Sequence, residues 1–344
     1  MKTSIYTVDQ MQNQLVKKHL AKILKEGGLV VFPTETVYGI GANALDPLAA
    51  SKIYEVKGRP ADNPLIVHID NLHMLKALTL EINLQSRKLI QAFWPGPLTL
   101  IFKKSDLVPN TITANLDTVA IRFPSHPAAR QLIKLAKFPI AAPSANISGR
   151  PSSTLFKHVK EDLDGLVDII IDGGKSTIGL ESTVLDVTTE VPTILRPGSI
   201  TKRMIESVLE HSITDASKTE VIDAPKSPGM KYTHYAPKGK IILVDGLKEE
   251  VIDYINKAIT ILDHEKTAVI CAKEYVSAIK CKHIFDLGSI EDSEEIASNL
   301  FIALRTMDEL GIEQIYTHSF KDEQLGQAIM NRLLKAAGYN IIRL

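Results

Sequence analysis

The chain has few cysteines, no net charge and no long hydrophobic run, and each shortage removes a class of protein. Its 344 residues include two cysteines, Cys271 and Cys281, which are too few for a disulfide framework and wrongly spaced for a zinc knuckle. We expect both to be buried or indifferent thiols in a reducing compartment. No apolar run approaches membrane-spanning length, and the segment Met1–Tyr6 lacks the apolar stretch of a secretory signal. These absences predict a cytoplasmic protein without a membrane contact.

The charge balance also limits the choice of function. Forty basic and forty acidic residues cancel, and 44% of the residues are hydrophobic, as in ordinary globular proteins. A neutral total removes the simplest electrostatic argument for a large nucleic-acid footprint, although it does not exclude nucleic-acid binding. A chain of this length exceeds what one hydrophobic core usually organises, so two domains are expected.

The motifs of common nucleotide and hydrolase sites are absent or misplaced. Residues Gly39–Ala44 match a loose dinucleotide fingerprint, but the polar insert Pro33–Thr36 separates them from the preceding strand. Gly173–Ser176 resembles the end of a phosphate loop, yet Ile169 stands where that motif needs its first glycine. The ten histidines form no metal-binding pair at helical spacing, and no Gly-x-Ser-x-Gly elbow occurs.

Hydrophobic periodicity predicts a mixed α/β layer structure in the first part of the chain. Apolar runs predict strands at Leu29–Phe32, Leu65–Ile69, Leu98–Phe102, Val119–Arg122, Ile140–Ala142, Leu166–Ile171 and Thr183–Val187. Amphipathic stretches predict helices at Gln10–Glu26, Leu48–Val56, Leu84–Ala92, Pro127–Lys137 and Thr154–Leu163. This order is not the regular alternation of a doubly wound sheet.

The last third of the chain has a cleaner pattern. A Pro- and Gly-containing stretch, Asp223–Met230, cannot continue a helix or a central strand and reads as a linker. Beyond it, strands at Ile241–Val244, Ala268–Cys271, His283–Asp286 and Gln314–Thr317 alternate with helices at Glu249–Leu262, Glu294–Leu310 and Leu325–Ala337. This alternation indicates a smaller parallel-sheet domain with crossover helices. The predicted boundaries are residues 1–210 for the first domain, 211–238 for the linker and 239–344 for the second domain.

Three polar inserts hold most of the candidate chemistry. They are Phe32–Gly39, Lys57–Pro60 and Pro143–Asn146, each at or near the end of an apolar run. Together they supply hydroxyls, two fixed cations and an amide, without a metal cage or a standard covalent nucleophile. Such an inventory suits the binding and alignment of anionic reactants.

Each candidate also has a plainer interpretation. Lys57 and Arg59, on either side of Gly58, could be a solvated basic helix end favoured by the helix dipole. His68 within a branched apolar strand could be a core histidine with satisfied hydrogen bonds. Ser144 and Asn146 could cap an ordinary turn. The strand-end arginines, Arg122 and Arg196, could each form a surface ion pair, but several cations beside Gly/Pro loops favour an anion pocket.

Six strings of residues, in order and in register, resemble the YrdC-like family across about the first 205 residues. They are Phe32–Ala42, Lys57–His68, Trp94–Thr99, Ala141–Ser152, Gly179–Val184 and Leu195–Gly198. The stretch Ser227–Pro237, followed by a parallel-sheet tail, is similar to the longer, two-domain branch, whose members are threonylcarbamoyl-AMP synthases. The resemblance implies a twisted mixed sheet around a basic concave cavity, plus a smaller Rossmann-like parallel-sheet domain. It also implies a nucleotidyltransferase that converts L-threonine, bicarbonate and ATP into threonylcarbamoyl-AMP and pyrophosphate.

The resemblance assigns roles to individual residues. It implies that L-threonine is held by Thr36, His68, Arg122, Ala142 and Ser182, with Arg122 meeting the carboxylate. It implies that ATP is held by Arg59, Asn63, Thr118, Ser144, Ser152, Arg196 and Tyr235. The implied catalytic set, around bicarbonate and the α-phosphate, is Lys57, Arg59, Ser144 and Asn146. No protein side chain is expected to hold a metal, because magnesium would travel on the ATP phosphates with mostly water ligands.

The resemblance also implies a downstream partner enzyme and a role for the linker. A separate transferase would move the threonylcarbamoyl group to the tRNA adenosine next to the anticodon, and a direct tRNA contact is not required. The linker, with Tyr235, would act as a lid over ATP, although a linker tyrosine is more commonly a packing residue.

One alternative is a double-stranded RNA-binding module without adenylate chemistry. Another is an enzyme that uses carbamoyl phosphate, which usually has a longer chain with zinc fingers. A third is a tail that serves only oligomerisation or docking of the transferase.

Overall fold

The structure is a computed structural model that describes residues 2–217, 235–321 and 325–344. The described chain forms two compact units. The first contains residues 2–148, 153–177 and 181–217, and the second contains residues 149–152, 178–180, 235–321 and 325–344. Residues 218–234, which make up most of the predicted linker, lie outside the described residues, so the boundaries at 210 and 238 stay predictions.

The first unit is built on an eleven-stranded mixed sheet. Its strands are β1 Ser4–Thr7, β2 Val30–Phe32, β3 Gly39–Asn43, β4 Ile66–His68, β5 Leu98–Lys103, β6 Thr118–Arg122, β7 Ile140–Ala141, β8 Ile169–Asp172, β9 Thr183–Asp186, β10 Thr193–Arg196 and β11 Thr214–Asp215. They lie in the order β1-β8-β2-β3-β7-β4-β6-β5-β9-β10-β11. Parallel pairs such as β4 with β6 alternate with antiparallel pairs such as β5 with β6.

Eight helices accompany this sheet within the described residues. They are α1 Gln14–Lys25, α2 Pro47–Lys57, α3 Leu72–Leu78, α4 Leu84–Phe93, α5 Asn110–Thr113, α6 Pro127–Ala136, α7 Phe156–Leu163 and α8 Lys202–Leu209. Local chemistry sets the ends of α2: the Asp46 side chain accepts hydrogen bonds from the Leu48 and Ala49 N–H groups. Gly58, at φ +58°, ends the helix in the left-handed conformation. Lys57 is therefore the last residue of a defined helix.

Strand alternation divides the core of the first unit between the two faces of the sheet. On β2, Val31 joins the largest apolar cluster, while Val30 and Phe32 join a second cluster with residues of α1 and α6. Strands β4, β5, β6 and β9 also send alternate side chains into the largest cluster. Their opposite face has a much smaller apolar cluster, centred on Ile66, Ile101, Ala120, Val184 and Leu195. That sparsely covered face is where polar side chains can collect.

The second unit has a five-stranded parallel sheet in the order β14-β13-β15-β12-β16. Its strands are β12 Lys240–Asp245, β13 Thr267–Cys271, β14 His283–Asp286, β15 Gln314–His318 and β16 Ile341–Arg343. Its helices are α9 Lys248–Ile259, α10 Lys273–Val276, α11 Ser293–Glu309 and α12 Gly326–Ala336. Helices follow the strands as crossover connections, which is the arrangement that the alternating sequence pattern predicts.

The predicted fold class, a twisted mixed sheet plus a smaller parallel-sheet domain, is confirmed. One predicted helix is wrong in its extent: a short 3-10 helix, Asp9–Gln12, precedes α1. Asn13 breaks the run because its backbone is extended and its side chain accepts a hydrogen bond from the Leu15 N–H. The strands and helices that were not predicted are β1, β3, β10, β11, β16, α3, α5, α8 and α10. In β3 the signal is weak because Gly39 and Gly41 replace the β-branched residues typical of strands.

Candidate active site

Four polar residues project from the sparsely covered face of the first sheet. His68 and Arg122 lie two residues beyond Ile66 and Ala120 of the small apolar cluster, so strand alternation places them on the same face. The register pairs His68 with Arg122 and Arg122 with Thr99. Three neighbouring strands therefore bring an imidazole, a guanidinium and a hydroxyl side by side.

Ser182, the fourth polar residue, joins this group from the residue before β9. Its hydroxyl lies 2.7 Å from Thr99 Oγ1 and accepts a hydrogen bond of 3.1 Å from Arg196 Nη2. Arg196 Nε also donates to the Ser182 carbonyl at 3.1 Å. Close packing fixes this corner, since a Cβ on Gly198 would lie 2.5 Å from the Thr183 backbone nitrogen. The structure thus joins the predicted threonine residue Ser182 to the predicted ATP residue Arg196.

Arg122 is buried and has donor capacity left for a ligand. Its Nη1 donates to Thr36 Oγ1 at 2.7 Å, and its Nε donates to the Gly96 carbonyl at 3.4 Å. Its Nη2 forms an ion pair with Glu35 Oε1 at 2.7 Å, and these three contacts use only part of the five N–H donors of the guanidinium among the described residues. A buried donor without an acceptor is costly unless a ligand completes it. A carboxylate would do so, because its two oxygens match the fork of a guanidinium.

Glu35 is a functional residue that the sequence analysis left unassigned. Its carboxylate forms the ion pair with Arg122 and accepts hydrogen bonds from the Ser125 and His126 N–H groups at 3.2 and 3.4 Å. Burial alone would raise the Glu35 pKa, but the charge of Arg122 and the Ser125 N–H together hold the pKa below its ordinary value. Glu35 is therefore an ionised anchor that orients Arg122. The available signal was a carboxylate between Thr34 and Thr36, directly after a buried strand.

His68 is neutral over the physiological pH range. Burial and then the positive charge of Arg122 lower its pKa to about 3. Its Nδ1 lies 3.2 Å from the Ile66 carbonyl oxygen, which can only accept, so Nδ1 is the donor. The Ala142 N–H donates to the same carbonyl at 2.9 Å. The predicted threonine residues His68 and Ala142 thus meet at one backbone group.

Lys57 connects the end of α2 to the Ser144–Asn146 loop. Its ammonium donates to the carbonyl oxygens of Ser144 and Asn146 at 2.5 Å each. The Lys57 carbonyl in turn accepts from the Ser148 N–H at 2.9 Å, and Ser144 bridges to Gly39. Three members of the predicted catalytic set therefore lie together, beside the end of the Phe32–Gly39 insert.

Arg59 turns to a different loop from Lys57. Its Nη2 donates to the carbonyls of Asn63 and Pro64 at 3.3 and 3.0 Å. The Asn63 side chain is buried, and its Oδ1 accepts no hydrogen bond from the part of the chain that the structure describes. An unsatisfied buried acceptor fits the predicted role of Asn63 as a ligand residue.

The other three predicted ATP residues are Thr118, Ser152 and Tyr235. Thr118 begins β6 and Arg122 ends it, so about 13 Å of strand separates them. Ser152 and Tyr235 belong to the second unit. Tyr235 has a φ of +69°, and its ring centroid lies 5.2 Å from that of Phe301 and 5.9 Å from the Arg332 guanidinium carbon.

Two absences within the described residues concern metal binding and membrane crossing. No group of three or more His, Cys, Asp or Glu side chains is placed to hold a metal ion within residues 2–217, 235–321 and 325–344. In the same residues, no helix has the length and the apolar character needed to cross a membrane.

Comparisons with known proteins agree with this geometry. The family model for Sua5, YciO and YrdC, described as "Telomere recombination", matches residues 22–198. The model described as "Threonylcarbamoyl-AMP synthase, C-terminal domain" matches residues 200–338. A threonylcarbamoyl-AMP synthase of Pyrococcus abyssi is 49% identical over 326 residues, covering 94% of each chain. One of Bacillus subtilis is 45% identical over 330 residues, covering 94% of this chain and 93% of the relative.

Two solved structures match both units. The H234A/Y235A variant of P. abyssi Sua5 has a TM-score of 0.93 at 45% identity, over 99% of this chain and 98% of that one. P. abyssi Sua5 complexed with L-threonine has a TM-score of 0.92 at 46% identity, over 100% and 99%. The resemblance seen in the sequence is confirmed, and the chain belongs to the Sua5/YciO/YrdC family, in the branch that has the additional C-terminal domain.

Proposed function

We propose that the chain is an L-threonylcarbamoyladenylate synthase, an enzyme of the nucleotidyltransferase type. It converts L-threonine, bicarbonate and ATP into threonylcarbamoyl-AMP and pyrophosphate. The observation that carries this proposal is the buried guanidinium of Arg122, whose contacts with Gly96, Thr36 and Glu35 use only part of its five N–H donors within the described residues. Relatives with the corresponding name and a relative complexed with L-threonine support it.

The threonine subsite is proposed around Arg122. The substrate carboxylate takes the Nη2 donors of Arg122, which Glu35 and Thr36 orient. Neutral His68 and the hydroxyl of Ser182 supply polar contacts on the same face, and Ala142 lines the subsite. A neutral imidazole at His68 adds no positive charge beside the ammonium group of the amino acid.

The ATP subsite is proposed to involve Arg59, Asn63, Thr118, Ser144, Ser152, Arg196 and Tyr235. The buried Oδ1 of Asn63 can accept a hydrogen bond from the nucleotide. Arg59 and Arg196 offer planar forks for phosphate oxygens. Magnesium enters as part of the substrate, bound to the ATP phosphates and water. Tyr235 and the linker 211–238 are proposed to cover ATP as a lid, and a truncation before Ser227 with unchanged ATP affinity would rule that out.

The proposed reaction needs no nucleophile from the protein. The threonine nitrogen forms a bond to the carbon of bicarbonate and loses a proton, while one C–O bond of bicarbonate breaks and that oxygen leaves as water, which gives a carbamate. Carbon dioxide gives the same carbamate by direct addition and loss of a proton. A carbamate oxygen then forms a bond to the α-phosphorus, while the bond to the bridging oxygen breaks and pyrophosphate leaves with that electron pair. Negative charge accumulates around the α-phosphate, so Lys57 and Arg59 stabilise the transition state and Ser144 and Asn146 align the reactants.

The product points to a later acyl-transfer step. A threonylcarbamoyl-AMP is an activated acyl donor, and we propose that a separate transferase passes its acyl group to the tRNA adenosine next to the anticodon. The synthase then requires no tRNA contact of its own. The cytoplasm, which supplies ATP, threonine and tRNA together, is the proposed location.

Pyrophosphate release with each substrate omitted in turn tests the proposal. The full chain should release pyrophosphate only when L-threonine, bicarbonate and ATP are all present. Arg122→Gln should need a much higher L-threonine concentration for half-maximal pyrophosphate release, while Arg203→Gln, on helix α8, serves as the matched control. A salt-sensitive mobility shift of double-stranded RNA, without any pyrophosphate release, would show that the chain is an RNA-binding module and not an enzyme.

A further inference from the structure

An apolar groove in the first unit has no role in the proposed reaction. It lies between α3 and α4 and has a volume of about 490 Å³. Its floor is formed by Leu75, Ile82, Ile90, Trp94 and Phe123. None of the residues that line this α3–α4 groove belongs to the predicted threonine, ATP or catalytic sets. Small-molecule sites are concave and mostly apolar with a few polar groups, and the lining of this groove has that character.

The rim of the α3–α4 groove is positively charged. Lys76 and Arg87 line it, and no acidic residue does. The Arg87 Nε donates to the Ile82 carbonyl at 3.0 Å, which holds the guanidinium at the edge of the floor. Within the residues that the structure describes, neither cation has a carboxylate within 4.0 Å. Two cations over an aromatic floor favour an occupant with an anionic head.

We propose that the α3–α4 groove is a second ligand site, which takes a small organic anion with an aromatic or branched apolar body. The apolar body would lie against Trp94 and Phe123, and the carboxylate or phosphate would meet Lys76 and Arg87. The volume falls in the range of small-molecule sites, about 300–1,000 Å³. The volume and the two cations of the rim therefore fit a small organic anion.

The floor of the groove is continuous with the backbone that holds Arg122. The Gly96 carbonyl accepts from Arg122 Nε, and the Gly96 N–H donates to the Phe123 carbonyl at 2.7 Å. Trp94 lies two residues before Gly96, and Phe123 directly follows Arg122. A ligand on Trp94 and Phe123 thus contacts both segments that position the guanidinium. This coupling rests on the proposed threonine subsite, whereas the groove itself does not.

The chain carries its own reporter, since Trp94 is the one tryptophan of the sequence. The test is a titration of the full chain, without substrates, with 4-phenylbutyrate and with its uncharged analogue 4-phenylbutan-1-ol, followed by Trp94 fluorescence. We expect saturable binding of the anion with a dissociation constant of about 1 mM or tighter, and binding of the alcohol about tenfold weaker. A Lys76→Gln/Arg87→Gln double variant should remove most of that preference, and Lys88→Gln, outside the groove, should keep it.

Two results would overturn the groove site. One is the absence of saturable change in Trp94 emission up to about 10 mM phenylbutyrate. The other is an unchanged preference for the anion in the double variant. Because no substrate is present, either result leaves the proposed enzymatic function standing.

The coupling has a separate measurement. Saturating L-threonine should change the dissociation constant of phenylbutyrate about fivefold, and phenylbutyrate should change the dissociation constant of L-threonine by the same factor. Equal constants with and without L-threonine would refute the coupling. If pyrophosphate release itself fails, the titration without threonine still decides whether the groove binds the anion.

Discussion

A buried histidine ends a strand in each unit, and the two differ in what surrounds them. His68 ends β4 and His318 ends β15, with 3% and 1% of each residue exposed. His318 Nε2 accepts from the Ala272 N–H at 3.0 Å, and its Nδ1 donates to the Ser319 carbonyl at 2.8 Å. Its ring stacks on Tyr275 at 4.0 Å and lies 4.5 Å from Phe320. His318 is therefore satisfied by its own domain.

The neighbourhood of His68 is not closed in this way. Beside it lies Arg122, whose contacts with described residues use only part of its five N–H donors. In the second unit the hydroxyl of Ser319 donates to Asp245 Oδ1 at 2.6 Å, although the buried Thr317 Oγ1 has no hydrogen-bond partner among the described residues. A polar residue at the carboxyl end of a strand is thus a weak indicator of function. A buried cation whose donors are only partly used is the stronger one.

The largest expected effect is a loss of turnover when a lysine of the first unit is substituted, and none when a lysine of the second unit is. Lys57→Ala should lower kcat about 10²–10³-fold, the scale for one lost electrostatic donor. Lys248→Ala, which removes an ammonium 5.6 Å from the Tyr275 ring in the second unit, should leave kcat unchanged. Pyrophosphate release at saturating substrates measures both, with circular dichroism as the check on folding. Unchanged turnover in Lys57→Ala would remove that residue from the chemistry.

The two histidines should contribute similarly to acid sensitivity. Burial lowers the pKa of His68 to about 3 and that of His318 to about 4, from an ordinary 6.5. Protonation then favours the unfolded chain, so stability is full above about pH 6.5 and falls as the pH falls towards the folded pKa. Between pH 7 and pH 5 each histidine should cost about 2 kcal/mol of unfolding free energy.

Urea unfolding of the wild type, His68→Gln and His318→Gln at pH 7 and pH 5 measures this acid sensitivity. Each variant should lose less stability between the two pH values than the wild type does, because it lacks one depressed group. A variant with the wild-type difference would mean that its histidine is not held neutral in the folded state.

A substitution of Glu35 tests whether this carboxylate orients Arg122 in the proposed threonine subsite. Glu35→Gln keeps the shape but removes the charge that orients Arg122, and the amide presents donors where the carboxylate accepted. We expect the KM for L-threonine to rise about tenfold, with kcat and the KM for ATP nearly unchanged. Glu35→Asp should restore part of the loss. Glu274→Gln, which alters a carboxylate that accepts from the Ile290 N–H in the second unit, is the matched control.

The opposite result for Glu35→Gln would be informative. A lower KM for L-threonine would show that the Glu35 carboxylate competes with the substrate for Arg122. Glu35 would then be a competitor, not a positioning residue.

The smallest effect is expected at the strand ends of the second unit. Ser319→Ala removes the hydrogen bond to Asp245 and should cost about 1 kcal/mol of stability. Turnover should not change, since this hydrogen bond lies outside every predicted subsite. A loss of turnover larger than about threefold would show that the second sheet edge takes part in the reaction.

The sequence was sufficient to predict which polar residues collect at the site, but not which of them contact one another. Patterns of apolar residues predicted most strands and helices, and the polar inserts predicted where functional groups collect. The Glu35–Arg122 ion pair could not be predicted, because it joins residues from distant parts of the chain across the sheet. Strand β3 was missed for a packing reason: a Cβ on Gly41 would lie 2.7 Å from Ile140 Cγ2 and from the Phe32 ring. Local propensity does not record such a close approach.

The contacts of Lys57 have a consequence for the survival of the protein during its own reaction. A mixed anhydride of a carbamate and AMP acylates free amines, and a neutral lysine beside it would be modified. Lys57 donates to the carbonyl oxygens of Ser144 and Asn146, and both contacts hold its nitrogen against the backbone of that loop. The same two carbonyls that place this cation would therefore also shield it from self-inflicted carbamoylation.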